Sequence, residues 1–206
     1  MSETQKNPDA PSEIDSALVR AFQTGEGSAF DRIVLRHKTR IFNLCYWVLG
    51  DYQDANDMAQ VTFLKAYQSL KGFRHESALS TWLHRIAVNT CKNRIKSWEY
   101  RAKKRSLPLD NPGHAEANGP SAEMEDGAPS PMAVLEQKER NHLIRKALQS
   151  LGQEQREIIT LRDIQGLSYE EIAEVTGLNP GTVKARLGRA RLELTERLRS
   201  VIGKGL

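Results

Sequence analysis

Residues 107–131, LPLDNPGHAEANGPSAEMEDGAPSP, hold five of the chain's eight prolines and almost no apolar periodicity. A stretch of this kind has nothing to bury and reads as a linker. It constrains the fold more than any other feature, because it divides 206 residues into two shorter folding units. The expected organisation is a disordered tail over 1–11, a helical unit over 12–106, a linker over 107–132 and a second helical unit over 133–206. As a coil the linker spans on the order of 28 Å, and stretched it reaches roughly 80–90 Å.

Both units read as helical. Only 6% of the residues are aromatic, and Leu, Ile, Ala, Glu, Lys, Arg and Gln dominate, which favours helix over strand. An all-α fold of two small helical domains is therefore expected. No run of about 18 apolar residues suggests a membrane span. The opening MSETQKNPDAPSE lacks the basic-then-apolar pattern of a signal segment, so a cytoplasmic location is expected. Cys45 and Cys91 lie far apart and outside any CxxC, as buried free thiols do.

The apolar spacing predicts four helices in the first unit. Ser12 with Asp15 opens one that ends near Gly25, and Ser28 with Asp31 opens a long second one closed by Gly50. A third runs from about Gln53 to Leu70. A fourth begins near Ser80 and enters the basic stretch, with Leu79, Leu83, Ile86, Ala87 and Ile95 as its apolar stripe. In the second unit helices are expected near 133–150, 153–165, 168–176 and 180–200.

The last two of these form the sharpest local pattern. Ser168 and Glu171 make a capping box, Gly177 reads as a helix exit, and Asn179-Pro180 reads as the next entrance. Ile172, Leu178, Val183 and Leu187 are spaced to bury one side, with small Ala173 where the helices cross. This predicts a helix-turn-helix over about 169–188. Its second helix would meet a phosphate at its N-terminus and carry Thr182, Lys184, Ala185, Arg186 and Arg189 to base edges and backbone. One short helix makes few such contacts, so the chain needs a second reading head, a partner subunit or a larger assembly.

The net charge is +4, but its distribution says more. CKNRIKSWEYRAKKR (91–105) and VKARLGRARLELTERLR (183–199) are cationic, whereas Asp110, Glu116, Glu123, Glu125 and Asp126 lie between them. Two basic regions around an acidic spacer point to a polyanion met at two places, although solvated helix faces give either patch alone. Residues 73–98 interleave Phe73, Trp82 and Trp98 with Arg74, His75, His84, Arg85, Lys92, Arg94 and Lys96. Aromatics beside cations suit unstacked bases and a single-stranded backbone, while Trp82 fits a core equally well. In residues 54–67, Asp54, Asp57 and Gln60 share a polar edge, and Met58, Phe63, Leu64 and Tyr67 supply apolar surface. Such a helix serves either as core or as a docking face.

At these residues the chain resembles the extracytoplasmic-function (ECF) group of bacterial sigma factors in the sigma-70 family. DMAQVTFLKAY resembles the group's polymerase-binding helix, FRHESALSTWLHRIAVNTCKNR its segment for melting and reading the −10 element, and GLSYEEIAEVTGLNPGTVKARLGRARLEL its −35-reading helix-turn-helix. The resemblance implies a factor that binds core RNA polymerase, mainly the clamp helices of β′ and also the β flap, and directs it to promoter DNA. It implies an anti-sigma factor as partner, a stress or envelope response, no cofactor, no metal and no membrane insertion. Carried over by position, it implies −35 contacts from Tyr169, Glu170, Pro180, Gly181, Thr182, Lys184, Ala185, Arg186 and Arg189. It implies −10 contacts from Phe73, Arg74, His75, Ser80, Trp82, His84, Arg85, Asn89, Lys92, Asn93 and Lys96. Polymerase contacts fall to Asp54, Asp57, Met58, Gln60, Phe63 and Tyr67. Three positions depart from the group's pattern: Val61 follows Gln60 where Glu is usual, His75 replaces a glycine, and Thr176 replaces a leucine.

Other classes fit less well. A helix-turn-helix regulator with a helical sensing or dimerisation domain leaves the aromatic–cationic segment unexplained. An enzyme would need clustered acid, base or metal groups, and the neighbourhoods of His75-Glu76 and His114-Glu116 supply no second ligand at helical spacing. A helical adaptor has no use for the helix-turn-helix.

Overall fold

The structure is a computed structural model that describes residues 13–105 and 131–202. Ser12, the tail and most of the expected linker lie outside the described residues. Among the described residues every regular element is helical.

The first unit contains α1 (Glu13–Gln23), α2 (Ser28–Leu49), α3 (Tyr52–Ser69) and α4 (Leu79–Arg105), with a 3₁₀ turn, Leu70–Gly72, after α3. Leu18, Val19 and Phe22 of α1 meet Phe30, Ile33, Ile41 and Leu44 of α2 in one core with Leu79, Leu83 and Ala87 of α4. Small Ala55, Ala59 and Ala66 on the inner face of α3 are buried in it as well. Ser28 does not cap α2. Glu26 and Gly27 already accept backbone bonds from Ala29 and Phe30, so the chain enters the helix on its own carbonyls. The Ser28 hydroxyl donates instead to the Glu26 carboxylate at 3.2 Å. Asp51 caps α3, accepting the Asp54 N–H at 2.8 Å, and starts that helix at Tyr52.

The second unit contains α5 (Pro131–Gln149), α6 (Gln153–Ile159), α7 (Tyr169–Thr176) and α8 (Pro180–Ile202). α5 begins two residues before the expected 133, at a proline, which suits a first helical position. The helix expected over 153–165 stays α-helical only to Ile159, and Thr160–Ile164 forms a π-turn. The Gln165 N–H reaches back five residues to the Thr160 carbonyl at 2.9 Å.

The two units pack against each other along α4 and the C-terminal end of α2. Arg156 of α6 makes the tightest stitch. Its guanidinium donates to the Leu148, Gln149 and Leu151 carbonyls at 3.1, 3.0 and 3.1 Å and to the Val48 carbonyl at 2.9 Å. One cation thus satisfies the negative ends of both α2 and α5. Gln149 donates to the Trp47 carbonyl at 3.2 Å, and the Arg145 guanidinium lies 5.2 Å from the Tyr46 ring centroid. Gly50, at φ 81°, holds a left-handed backbone that favours glycine, and an added Cβ, 2.5 Å from the Gln149 amide, would displace that side chain. A linker of coil composition leaves the relative orientation of the two units open, and in this conformation they are packed together. Side chains meeting backbone carbonyls of the other unit fix the arrangement, and no periodicity encodes them.

Candidate nucleic-acid and docking interfaces

The helix-turn-helix forms as its capping residues dictate. The Ser168 hydroxyl accepts the Glu171 N–H at 3.1 Å, and the Glu171 carboxylate accepts the Ser168 N–H at 2.8 Å. Gly177 ends α7 at φ 74°, its N–H bonded to the Ala173 carbonyl at 2.9 Å. Asn179 Oδ1 then accepts the Thr182 N–H at 2.7 Å and starts α8. Thr176 offsets the loss of a leucine with two bonds. Its hydroxyl donates to the Ile172 carbonyl at 2.7 Å and accepts the Leu178 N–H at 3.4 Å.

Ile172, Val183 and Leu187 are buried, which turns the opposite face of α8 outward. Pro180, Gly181, Lys184, Ala185 and Arg189 are exposed there, with Thr182 and Arg186 half-exposed. Arg186 pairs with Glu154 of α6 at 2.6 Å. Glu170 is exposed, whereas Tyr169 is half-buried with the Arg162 guanidinium 5.0 Å from its ring centroid.

In the first unit the stretch before α4 folds over an aromatic cluster. The Phe73 ring is buried, with His75 and Trp82 rings at centroid distances of 5.0 and 5.2 Å. His75 has φ 56°, a left-handed backbone that costs a histidine more than a glycine. The geometry therefore matches the glycine the family pattern has there. Arg74, Glu76, Ser77, Trp82 and Arg85 line a surface cleft of about 470 Å³ with Gly72 and Phe73. Further along α4, Asn89, Asn93 and Lys96 continue the exposed line from Arg85 at intervals of three and four residues. Cations and amides on one helix face, beginning at an aromatic cleft, can hold a strand backbone and stack a base.

The other residues expected on this face point elsewhere in this conformation. Ser80 is half-buried and lends its carbonyl to His84 Nδ1 at 2.5 Å. His84 is 1% exposed at the seam between the units, and Lys92 pairs with Glu157 of α6 at 2.9 Å.

On α3, Asp57, Gln60, Leu64 and Tyr67 form an exposed ridge at helical spacing. Leu64 is 57% and Tyr67 50% exposed, a costly display of apolar surface unless something covers it. Tyr67 still touches Phe22 and Phe30, at 5.3 and 5.1 Å between ring centroids. Met58 and Phe63 are half-buried and pack on the core. Asp54 is turned inward to Arg94, accepting from Nη2 at 2.6 Å and Nε at 3.1 Å. Sequence reasoning counted Leu64 as apolar surface without assigning it to the docking set. Its place between Gln60 and Tyr67 on one face was the signal available.

The two cysteines are free and buried. Hydrogen bonding with the Cys45 side chain, together with burial, pushes the Cys91 thiol well above its ordinary range, which disfavours the thiolate.

A helical chain with an exposed helix-turn-helix, a separate cationic–aromatic face and an exposed apolar–acidic ridge has surfaces of the kind that contact nucleic acid and a larger assembly. Sigma-70 region 2 matches residues 33–100, and Sigma-70 region 4 matches residues 141–194. The chain is 35% identical to the RNA polymerase sigma-H factor of Pseudomonas aeruginosa, over 92% of this chain and 96% of that one. It is 34% identical to the ECF RNA polymerase sigma-E factor of Escherichia coli strain K12, over 91% and 96%. Among solved structures, the sigma factor RpoE of Bartonella quintana, in complex with the anti-sigma factor NepR, aligns with a TM-score of 0.63 at 25% identity. That alignment covers 82% of this chain and 96% of the other. CnrH, in complex with the cytosolic domain of CnrY, aligns with a TM-score of 0.63 at 25% identity, over 91% and 99%. The chain belongs to the ECF group of sigma-70 family RNA polymerase sigma factors. Members of this family are initiation factors and not enzymes. No helix among the described residues is long and apolar enough to cross a membrane.

Proposed function

We propose that this sigma factor divides promoter recognition between two chemically different faces, and that it does so in the cytoplasm in response to stress or envelope damage. The N-terminal unit, 12–106, docks on core polymerase and opens the −10 element, while the C-terminal unit, 133–206, reads −35. The observation that carries the division is the contrast between the two exposed faces. α8 presents Lys184, Ala185 and Arg189 beside a capped helix N-terminus, a surface for a closed duplex. The cleft at Trp82 and Arg85, continued by Asn89, Asn93 and Lys96, suits bases already out of the stack.

Docking falls to the ridge Asp57, Gln60, Leu64 and Tyr67, which would meet the clamp helices of β′, while the C-terminal unit meets the β flap. Asp54, Met58 and Phe63 support that ridge from beneath. Two promoter elements one or two turns apart are roughly 35–70 Å from each other, so polymerase must hold the heads in register. An anti-sigma protein as a second partner is supported by the solved relative captured with one.

Run-off transcription tests this reading. Purified protein added to bacterial core polymerase should start transcripts at discrete sites across genomic fragments. Nanomolar, sequence-specific duplex binding by the protein alone, with no transcripts, would contradict it.

A further inference from the structure

The docking ridge lies on α3 and the exposed line Asn89, Asn93 and Lys96 on α4, so the angle between these helices decides where a strand sits once the chain is docked. Apolar packing sets that angle weakly. The inner face of α3 is made of Ala55, Ala59, Thr62 and Ala66, all buried. Helices hold a crossing angle by fitting ridges of side chains into grooves, and residues this small make shallow ridges.

Two polar ties supply what the alanines lack. Near the start of α3, Asp54 Oδ1 accepts from Arg94 Nη2 at 2.6 Å and from Nε at 3.1 Å. The same guanidinium lies 5.3 Å from the ring centroid of Trp98, one turn further along α4. Toward the other end of α3, Lys65 Nζ donates to the Thr90 hydroxyl at 3.2 Å. Eleven residues separate Asp54 from Lys65, about 16 Å of helix, whereas four separate Thr90 from Arg94, about 6 Å. One long side chain from each helix spans the difference, so the ties hold the crossing from both ends of α3. The Asp54 and Arg94 side chains are 19% and 29% exposed, and charges so covered are screened less than a surface pair. Both functional surfaces adjoin these ties. The docking ridge begins at Asp57, three residues after Asp54, while Asn89 precedes Thr90 and Asn93 precedes Arg94.

We propose that Asp54, Arg94 and Trp98, together with Lys65 and Thr90, are positioning residues that hold the exposed line of α4 at a fixed angle to the docking ridge of α3. Docking on polymerase then delivers that line to the parting strand. Asp54 acts through Arg94 and does not itself touch polymerase. This rests on the assignment of the α3 ridge to docking and of Asn89, Asn93 and Lys96 to the −10 strand.

The test compares Asp54→Ala, Arg94→Ala and the double variant in the polymerase complex. All three should bind core polymerase and the closed promoter as the parent does. Each single variant should open the duplex more slowly, by roughly tenfold, the scale on which contacting residues couple. The double variant should be no slower than either single, because the two residues act as one. Opening is a first-order step of the assembled complex, so a loss of folded protein alone does not change its rate. Arg94→Lys, which keeps a cation opposite Asp54, should recover part of that rate. Lost polymerase affinity in either single variant overturns the proposal, as do unchanged opening rates or effects that multiply in the double variant. The angle itself is read without DNA, from spin labels on Gln68→Cys and Lys96→Cys, both exposed positions, in the full chain alone. Cys45 and Cys91 are 0% exposed and stay unlabelled. The parent should give one narrow distance distribution and Arg94→Ala a broadened one, whereas an equally narrow distribution in Arg94→Ala overturns the proposal. A distribution that broadens as expected in a chain whose parent opens no promoter supports the fixed angle and overturns the promoter assignment.

Discussion

Arg186 is held before DNA arrives. Its partner Glu154 lies 2.6 Å away with a side chain 76% exposed, and an ion pair so solvated contributes at most about 1 kcal/mol. A bidentate contact to a base discriminates by about 1–3 kcal/mol, so exchanging Glu154 for a guanine edge is favourable. Arg186→Ala should weaken upstream binding of the polymerase complex by about 1–3 kcal/mol and relax sequence preference there, measured by closed-complex titration on promoter variants. Glu154→Ala should bind no more weakly than the parent chain. Side chains on α3 separate in the same manner. Leu64→Asp and Asp57→Ala should reduce co-elution with core polymerase at an unchanged melting temperature. Phe63→Ala should lower both, because its ring packs on the core. The sequence made the polar and apolar edges of α3 legible through their spacing. It could not reveal that Asp54 turns to Arg94, forty residues away, because an ion pair across two helices leaves no periodic trace.

Capping decides where the recognition elements begin and end. Ser168 and Asn179 each satisfy a helix N–H that would otherwise have no partner within the helix, and removing such a cap costs about 1 kcal/mol. Ser168→Ala and Asn179→Ala should each lower stability by about that amount in urea titration. Asn179→Ala should weaken upstream DNA binding as well, since α8 begins at the DNA-facing end. These elements were readable because their signals are local: Ser with Glu three residues on, Gly at an exit, Asn-Pro at an entrance. The π-turn at 160–164 was not readable. It depends on Gln165 bonding back to Thr160 and on Arg162 donating to the Leu167 carbonyl at 2.6 Å, and apolar spacing cannot distinguish that from another α-turn. α2 begins at Ser28 as its sequence suggests, but the cap was not readable. Ser28 carries a capping side chain, but backbone carbonyls already perform the task.

For the whole molecule, the division into two helical units was legible from composition, and their packing was not. The seam is made of Arg156 on a carbonyl, Lys92 on Glu157 and Thr81 on Glu171, residues that elsewhere would read as a solvated surface. Its chemistry predicts a pH dependence. Burial holds the His84 pKa below its ordinary value, reinforced by Arg40 of α2 and opposed by hydrogen bonds to Ser80 and Gln165 and by the Glu171 charge. The unfolded chain therefore binds the His84 proton more readily than the folded one. This group leaves stability untouched well above its ordinary pKa of 6.5 and lowers it as pH falls below that value. Glu157, whose carboxyl is raised in the fold, acts oppositely at lower pH, in the carboxylate range. The melting temperature should fall from pH 8 to pH 6, and His84→Gln should reduce that step.

The central claim is that one chain carries a duplex reader and a strand reader. Permanganate reactivity of downstream thymines, on duplex and pre-melted bubble templates, tests it most directly when Arg186→Ala is compared with Arg85→Ala in the polymerase complex. Arg186→Ala should lose closed-complex binding upstream, whereas Arg85→Ala should bind normally, fail to open the duplex and be partly rescued by the bubble. A bubble that rescues Arg186→Ala but not Arg85→Ala, or two variants that bind and open as the parent does, would contradict it.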